Sequence, residues 1–266
     1  MRRFSESYLQ RTRQGMWDDS RTALTDLSLD SRTRILDVGC GTGEFTRVLA
    51  EESDARVVGV DADESLLSVA AGRPEIEVVA GDATRLPFAD DAFDLVVCQA
   101  LLVNLPDPVA ALREFARVSS DLVATVEPDN AAVGVDSTVD AEVSLERRVR
   151  AAFLSGVQTD VALGDRVPEL FDDAGLSVVG TRRYHHRKLT EPPYDEYDVQ
   201  SAAQKATGEG LDRHEADLRR GLDADVSYES TRREWRQMGR DVVEQIRDGT
   251  YRRAEVVPFD VTTGRV

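Results

Sequence analysis

Lysine is nearly absent from this chain: of 33 basic residues only Lys188 and Lys205 are lysines, and the rest are arginine. Cysteine is scarce as well. Cys40 and Cys98 are too few for a disulfide framework or a zinc cluster, so neither bridges nor a metal site are expected. Two such thiols are expected to stay reduced in a cytosol. No apolar run approaches the length that spans a bilayer. Residues 1–30 are charged and lack the apolar core of a secretion signal. These absences predict a soluble, cytoplasmic protein with no membrane partner.

Acid is what the chain has in excess. Fifty Asp and Glu give a net charge of −17, spread along the chain rather than gathered in a tail. Such a surface keeps molecules apart by repulsion unless salt screens it. The excess of Asp over Lys is the composition expected of a halophile. The same charge argues against nucleic acid as a partner, and a monomer or homodimer is expected. With 266 residues, 41% of them hydrophobic, the chain suffices for one domain, or one domain with a substantial insert.

The organising stretch is Ile35-Leu36-Asp37-Val38-Gly39-Cys40-Gly41-Thr42-Gly43-Glu44-Phe45. An apolar run reads as a buried strand, three alternate glycines as a tight turn, and Phe45, Val48 and Leu49 as the start of a helix. Backbone without Cβ atoms lets a ligand lie close, and the first helical N–H groups point at it. Further apolar runs follow at Arg56–Asp61, Ile76–Ala80, Phe93–Cys98 and Leu122–Pro128, alternating with helical stretches at Glu64–Ala71 and Val109–Val118. Gly72 and Pro74 stop the first of those helices.

The pattern predicts an α/β, doubly wound, mostly parallel sheet of seven strands, apolar on both sides and covered by helices. The last two strands are predicted at Leu176–Leu189 and Ala254–Thr263, after helices at Asp140–Phe153 and Arg166–Asp173. The strands end in Asp37, Asp61, Asp82, Gln99 and Glu127, which a doubly wound sheet gathers at one crevice. The division predicted is a helical cap over 1–30, a core over 31–190, a helical insert or lid over 191–250 with few apolar anchors, and a closing strand over 251–266. Tyr8, Met16 and Trp17 either cover the crevice or pack on the outside of the core.

Leu36-Asp37-Val38-Gly39-Cys40-Gly41-Thr42-Gly43, followed by Val60-Asp61, Gly81-Asp82-Ala83 and Phe93-Asp94-Leu95-Val96, resembles the class I S-adenosylmethionine-dependent methyltransferases. Within that Rossmann-like class, the likeness is to the small-molecule, ubiquinone/menaquinone-type enzymes. It is strong over residues 33–130 and weak over Leu163–Val179, and the acidic composition suggests a halophilic archaeon. The resemblance implies that Gly39, Cys40 and Gly41 cradle the methionine part of S-adenosylmethionine and that Asp37 orients its ammonium group. It implies that Asp61, with Ala62, holds the ribose hydroxyls, that Asp82 and Ala83 read the adenine, and that Gln99 lines the methyl end. The product would be S-adenosylhomocysteine and the acceptor a small molecule. A non-catalytic sensor or assembly protein, and an RNA or protein methyltransferase, are the alternatives.

A dinucleotide-binding domain is disfavoured. Its fingerprint needs glycine at position 44, where Glu44 would repel a pyrophosphate. Many relatives carry a histidine pair where this chain has Val103-Asn104, so no catalytic base is assigned. His185, His186 and His214 are the remaining candidates. The run Arg182-Arg183-Tyr184-His185-His186-Arg187-Lys188 is either an anionic-substrate patch or a solvated edge strand.

Overall fold

The computed structural model describes residues 16–73 and 76–266. Tyr8, the start of the predicted cap and Pro74 lie outside the described residues. The chain divides into two compact units. The first holds the described residues up to Asp129, Leu163–His186 and Pro258–Val266, and the second holds Asn130–Ala162 and Arg187–Val257.

The strands are β1 (Arg34–Val38), β2 (Arg56–Asp61), β3 (Glu77–Ala80), β4 (Phe93–Gln99), β5 (Ser119–Pro128), β6 (Gly134–Ser137), β7 (Ser177–Thr190) and β8 (Arg253–Arg265). In the first unit β3-β2-β1-β4-β5 lie side by side, all parallel. β8 follows antiparallel to β5, with Leu122 opposite Arg265 and Pro128 opposite Phe259, and β7 pairs with β8.

Side chains alternate faces along a strand, and here both faces are buried. Leu36, Val38, Val58, Val60, Val96 and Val123 pack with Leu112, Phe115 and Phe171 of the helices Pro108–Val118 and Val167–Ala174. Ile35, Val57, Leu95, Val97 and Leu122 face the opposite way, against Trp17, Leu24, Leu27, Phe45 and Leu49. This is the double covering that continuous apolar runs demand.

The structure adds detail at three points. β3 is not apolar on both faces: it is a short, largely exposed strand, with no further strand beyond it among the described residues. The mostly parallel sheet is as expected, and the described residues hold eight strands, one more than the seven read from the sequence. β6 holds one apolar residue, so periodicity could not reveal it, and it pairs with Arg253–Val256 inside the second unit. Residues 130–162, read as part of the core, group with the insert.

The second unit has a core of its own, contrary to the expectation of few apolar anchors. Leu145, Leu211, Leu218, Tyr228, Trp235, Met238 and Val242 form one buried cluster. Tyr228, Trp235, Met238 and Val242 make one stripe along the Tyr228–Arg247 helix, diluted in the sequence by the charges on its other faces. The Asp140–Gly156 and Glu215–Gly221 helices touch backbone to backbone: a Cβ on Gly221 would lie 1.8 Å from the Ala152 carbonyl oxygen. A buried charge cluster joins this core. Glu142 is fully buried and accepts from the Tyr251 hydroxyl (2.9 Å), Ser137 and Lys205, while Glu146 pairs with Lys205 (3.0 Å) and Arg253 (2.8 Å).

Candidate functional site

The glycine turn after β1 is left-handed three times, at Gly39 (φ 74°), Gly41 (φ 56°) and Gly43 (φ 79°). Side chains disfavour this region, which accounts for the glycine spacing. The Gly39 and Cys40 amides donate to the Val60 carbonyl at the end of β2 (2.7 and 3.1 Å), and Gly43 closes onto Cys40 (2.9 Å). The turn then enters the Glu44–Glu51 helix. The Cys40 side chain is buried against Gly59, where a Cβ would lie 2.9 Å from its Sγ, so Cys40 offers the turn its backbone. Cys98 is likewise a buried thiol, and the two are not bonded to each other.

Asp61 ends β2 and grips both neighbouring loops. Its Oδ2 accepts the Gly41 N–H (2.8 Å) and its Oδ1 the Asp63 N–H (2.9 Å). A carboxylate has about four lone-pair sites, so each oxygen keeps one for a further donor. Ala62, between them, is exposed. Asp37 is buried and accepts from the Thr46 hydroxyl at 2.6 Å. Asp82 is exposed just past β3, and its Oδ1 accepts from the Thr84 amide (2.8 Å) and hydroxyl (2.7 Å), which hold its carboxyl below the usual range. It is therefore a turn residue as well as a rim residue. Ala83 is half-buried against the core.

Gln99 is buried at the end of β4 and donates to the Met16 sulfur at 3.0 Å. Trp17 stacks on Phe45, with centroids 4.7 Å apart. Met16 thus reaches a rim residue, while Trp17 packs on the core.

Strand register sets these residues along one edge. Asp61 pairs with Ala80, Val38 with both Val60 and Cys98, and Gln99 with Val126. Asp37 stands two residues inside that edge, opposite Gly59 and Val97. A direct hydrogen bond joins Asp61 to the Gly41 turn.

Reading strand ends did not assign Glu127 a role. It is fully buried and takes the amide N–H groups of Leu101, Leu102 and Val103. Burial pushes its carboxyl up to about 7, against the pull of those amides. The chain places it in an apolar run before Pro128, and nothing in that run reveals the amides it finds just past β4.

The basic run is committed to protein carboxylates at two positions. Arg183 makes paired contacts with Asp260 (2.7 and 2.9 Å) and one with Asp129 (2.9 Å), and Arg182 pairs with Asp26 (3.2 Å). His186 is buried, His185 is exposed, and His214 sits edge-on to Phe153 within the helical unit. Among the described residues no group of three His, Cys, Asp or Glu is placed to hold a metal, and no helix is long and apolar enough to cross a membrane.

Comparison with known proteins places this geometry. A family model described as a methyltransferase domain matches residues 36–121. The chain is 36% identical over 104 residues to the demethylmenaquinone methyltransferase of Staphylococcus aureus, covering 37% of this chain and 43% of that protein. It thus spans less than half the length of the curated relatives it matches. A candidate methyltransferase of Bacillus halodurans superposes with a TM-score of 0.56 at 17% identity, over 93% of this chain and 98% of that one. A SAM-dependent methyltransferase of Aquifex aeolicus gives 0.50 at 19% identity, over 71% and 93%. At these identities the structural likeness is one of fold. The chain thus matches a methyltransferase domain over residues 36–121 and shares the fold of these solved structures.

Proposed function

We propose that the protein transfers a methyl group from S-adenosylmethionine to a small-molecule acceptor. The observation that carries this reading is the bond from the Gly41 amide to the Asp61 carboxylate, which fixes a glycine-rich turn beside a carboxylate with acceptor capacity to spare. An acidic rim suits a donor that bears a sulfonium and an ammonium group, and would repel a pyrophosphate. In this reading Gly39, Cys40 and Gly41 present backbone to the methionine part, with Asp37 near its ammonium group. Asp61 and Ala62 take the ribose, Asp82 and Ala83 the adenine, and Gln99 lines the methyl end.

When bound, S-adenosylmethionine supplies a methyl group already activated on sulfur. The residues of this chain then have to bind, align and exclude water. Alignment alone supplies roughly 7–11 kcal/mol in the best intramolecular cases. A base is needed only if the acceptor must lose a proton, and none is assigned. The demethylmenaquinone methyltransferase relative makes a quinone-like acceptor the first to try.

Calorimetric titration with S-adenosylhomocysteine, followed by methyl transfer from labelled donor to demethylated quinones, tests the proposal. Saturable one-site binding is expected, and a flat titration would overturn it. Binding without transfer to any acceptor in cell extract would favour a sensor instead.

The composition supports a further part of the reading: a cytoplasmic protein of a halophilic archaeon, monomeric or homodimeric, that does not bind nucleic acid. With a net charge of −17, screening matters. The thermal midpoint is expected to rise steeply from dilute buffer to molar potassium chloride. Full stability in dilute buffer would refute the halophilic assignment.

A further inference from the structure

Glu127 has no part in the donor contacts just described, yet its carboxylate is fully enclosed at the end of β5. Oε1 accepts the N–H groups of Leu101 and Leu102, each at 2.9 Å, and Oε2 that of Val103 at 3.3 Å. The Cys98 thiol lies 3.7 Å from Oε1. Those amides open the one-turn helix Leu102–Asn104, so the carboxylate neutralises N–H groups that the turn leaves unpaired.

The segment it holds is not relaxed by itself. Ala100 has φ 50°, a conformation that a side chain disfavours. It is tied by its own amide to the Val126 carbonyl (2.8 Å) and by the Asn104 amide group to its carbonyl (2.8 Å). One residue on, the Leu101 side chain rests on the glycine turn: a Cβ on Gly39 would lie 2.9 Å from Leu101 Cδ1. A continuous line of contacts therefore runs from the Glu127 carboxylate through the Leu101 amide and side chain to Gly39. Asp260 stands opposite Glu127 across the β5–β8 pair, and Arg183 engages it.

We infer that Glu127 is a positioning residue. It holds the segment from Gln99 to Asn104 against the Gly39 turn and so preforms one wall of the donor site. This rests on the donor-site reading of the rim. Preorganising a wall before the ligand arrives raises affinity by removing the ordering cost from the binding step.

The test combines hydrogen exchange of the ligand-free protein with titration of S-adenosylhomocysteine. In Glu127→Ala, exchange at the Leu101, Leu102 and Val103 amides is expected to rise at least about tenfold, with β1 and β2 amides unchanged. Affinity is expected to fall about tenfold with it. Glu127→Gln, which keeps one carbonyl acceptor, should recover most of both and leave Val103 the least protected of the three. If the alanine variant does not fold, Glu127→Gln against the parent decides: faster exchange at Val103 with weaker binding supports the inference, and identity in both overturns it. Faster exchange throughout the unit, or loosened amides with unchanged affinity, also overturns it. A parent protein that does not bind S-adenosylhomocysteine refutes the donor reading itself. A parent that binds, with an alanine variant that binds equally, refutes the role of Glu127 alone.

Discussion

Replacing Asp61 with alanine is expected to weaken S-adenosylhomocysteine binding about a hundredfold, or about 2.7 kcal/mol. Two losses combine. The carboxylate is the acceptor that charge-assisted hydrogen bonds from ribose hydroxyls would use, each worth about 1.5–3 kcal/mol. It also anchors the Gly41 and Asp63 amides, so the turn and the start of the next helix lose their common tie. Asp61→Asn should lose less, since its carbonyl oxygen still accepts from one of the two amides while its NH2 group faces the other. Titration of both variants, with circular dichroism to verify folding, checks the expectation. Parent-like affinity in Asp61→Ala would remove the ground for placing the donor here.

The largest effect on stability is expected at Glu142 in the helical unit. Glu142→Ala should destabilise that unit by about 4 kcal/mol, within the range for removing one member of a buried ion pair. The carboxylate is fully enclosed and serves Lys205, Tyr251 and Ser137 at once. Without it, Lys205 keeps Glu146 alone and shares it with Arg253, which also pairs with Glu255, and the Tyr251 hydroxyl loses its acceptor. Glu142→Gln should cost less because it leaves Tyr251 a partner. Urea unfolding at constant high salt, followed by the Trp235 fluorescence of that unit, measures the difference. Equal midpoints for parent and alanine variant would show that the cluster contributes nothing.

Acid should reach the same cluster. Burial by itself would raise the Glu146 carboxyl, but Lys205 and Arg253 outweigh it and hold it at about 2. A folded-state value below the unfolded one means stability that is present above the unfolded value. That stability is lost as pH falls from about 4.5 toward 2.

Much of the first unit was legible from the chain. Buried parallel strands are continuous apolar runs, and β1, β2, β4 and β5 each show one. The glycine spacing was readable because a left-handed turn requires it locally. β3 was placed correctly but not its exposure, since an edge position depends on which strand lies beside it. β6 escaped because Gly-Val-Asp-Ser carries no periodicity, and it is a strand only because β8 supplies the partner. The helical unit looked poor in apolar anchors because each helix contributes one narrow stripe. The basic run left two readings open. Asp260, Asp129 and Asp26 engage Arg183 and Arg182 from distant parts of the chain, which favours a structural part for those two residues.

What the sequence determined by itself was the set of local structures and the chemistry of the rim: strand, glycine turn, helix, and an acid or amide at the strand ends. These depend on the spacing of residues a few positions apart. Only the tertiary structure decided which groups meet. Glu127 finds its amides about 25 residues away, and Lys205 finds Glu142 63 residues away. Periodicity fixes the face a side chain takes, whereas strand order, register and helix packing fix its neighbour, and the strength of a buried charge depends on that neighbour.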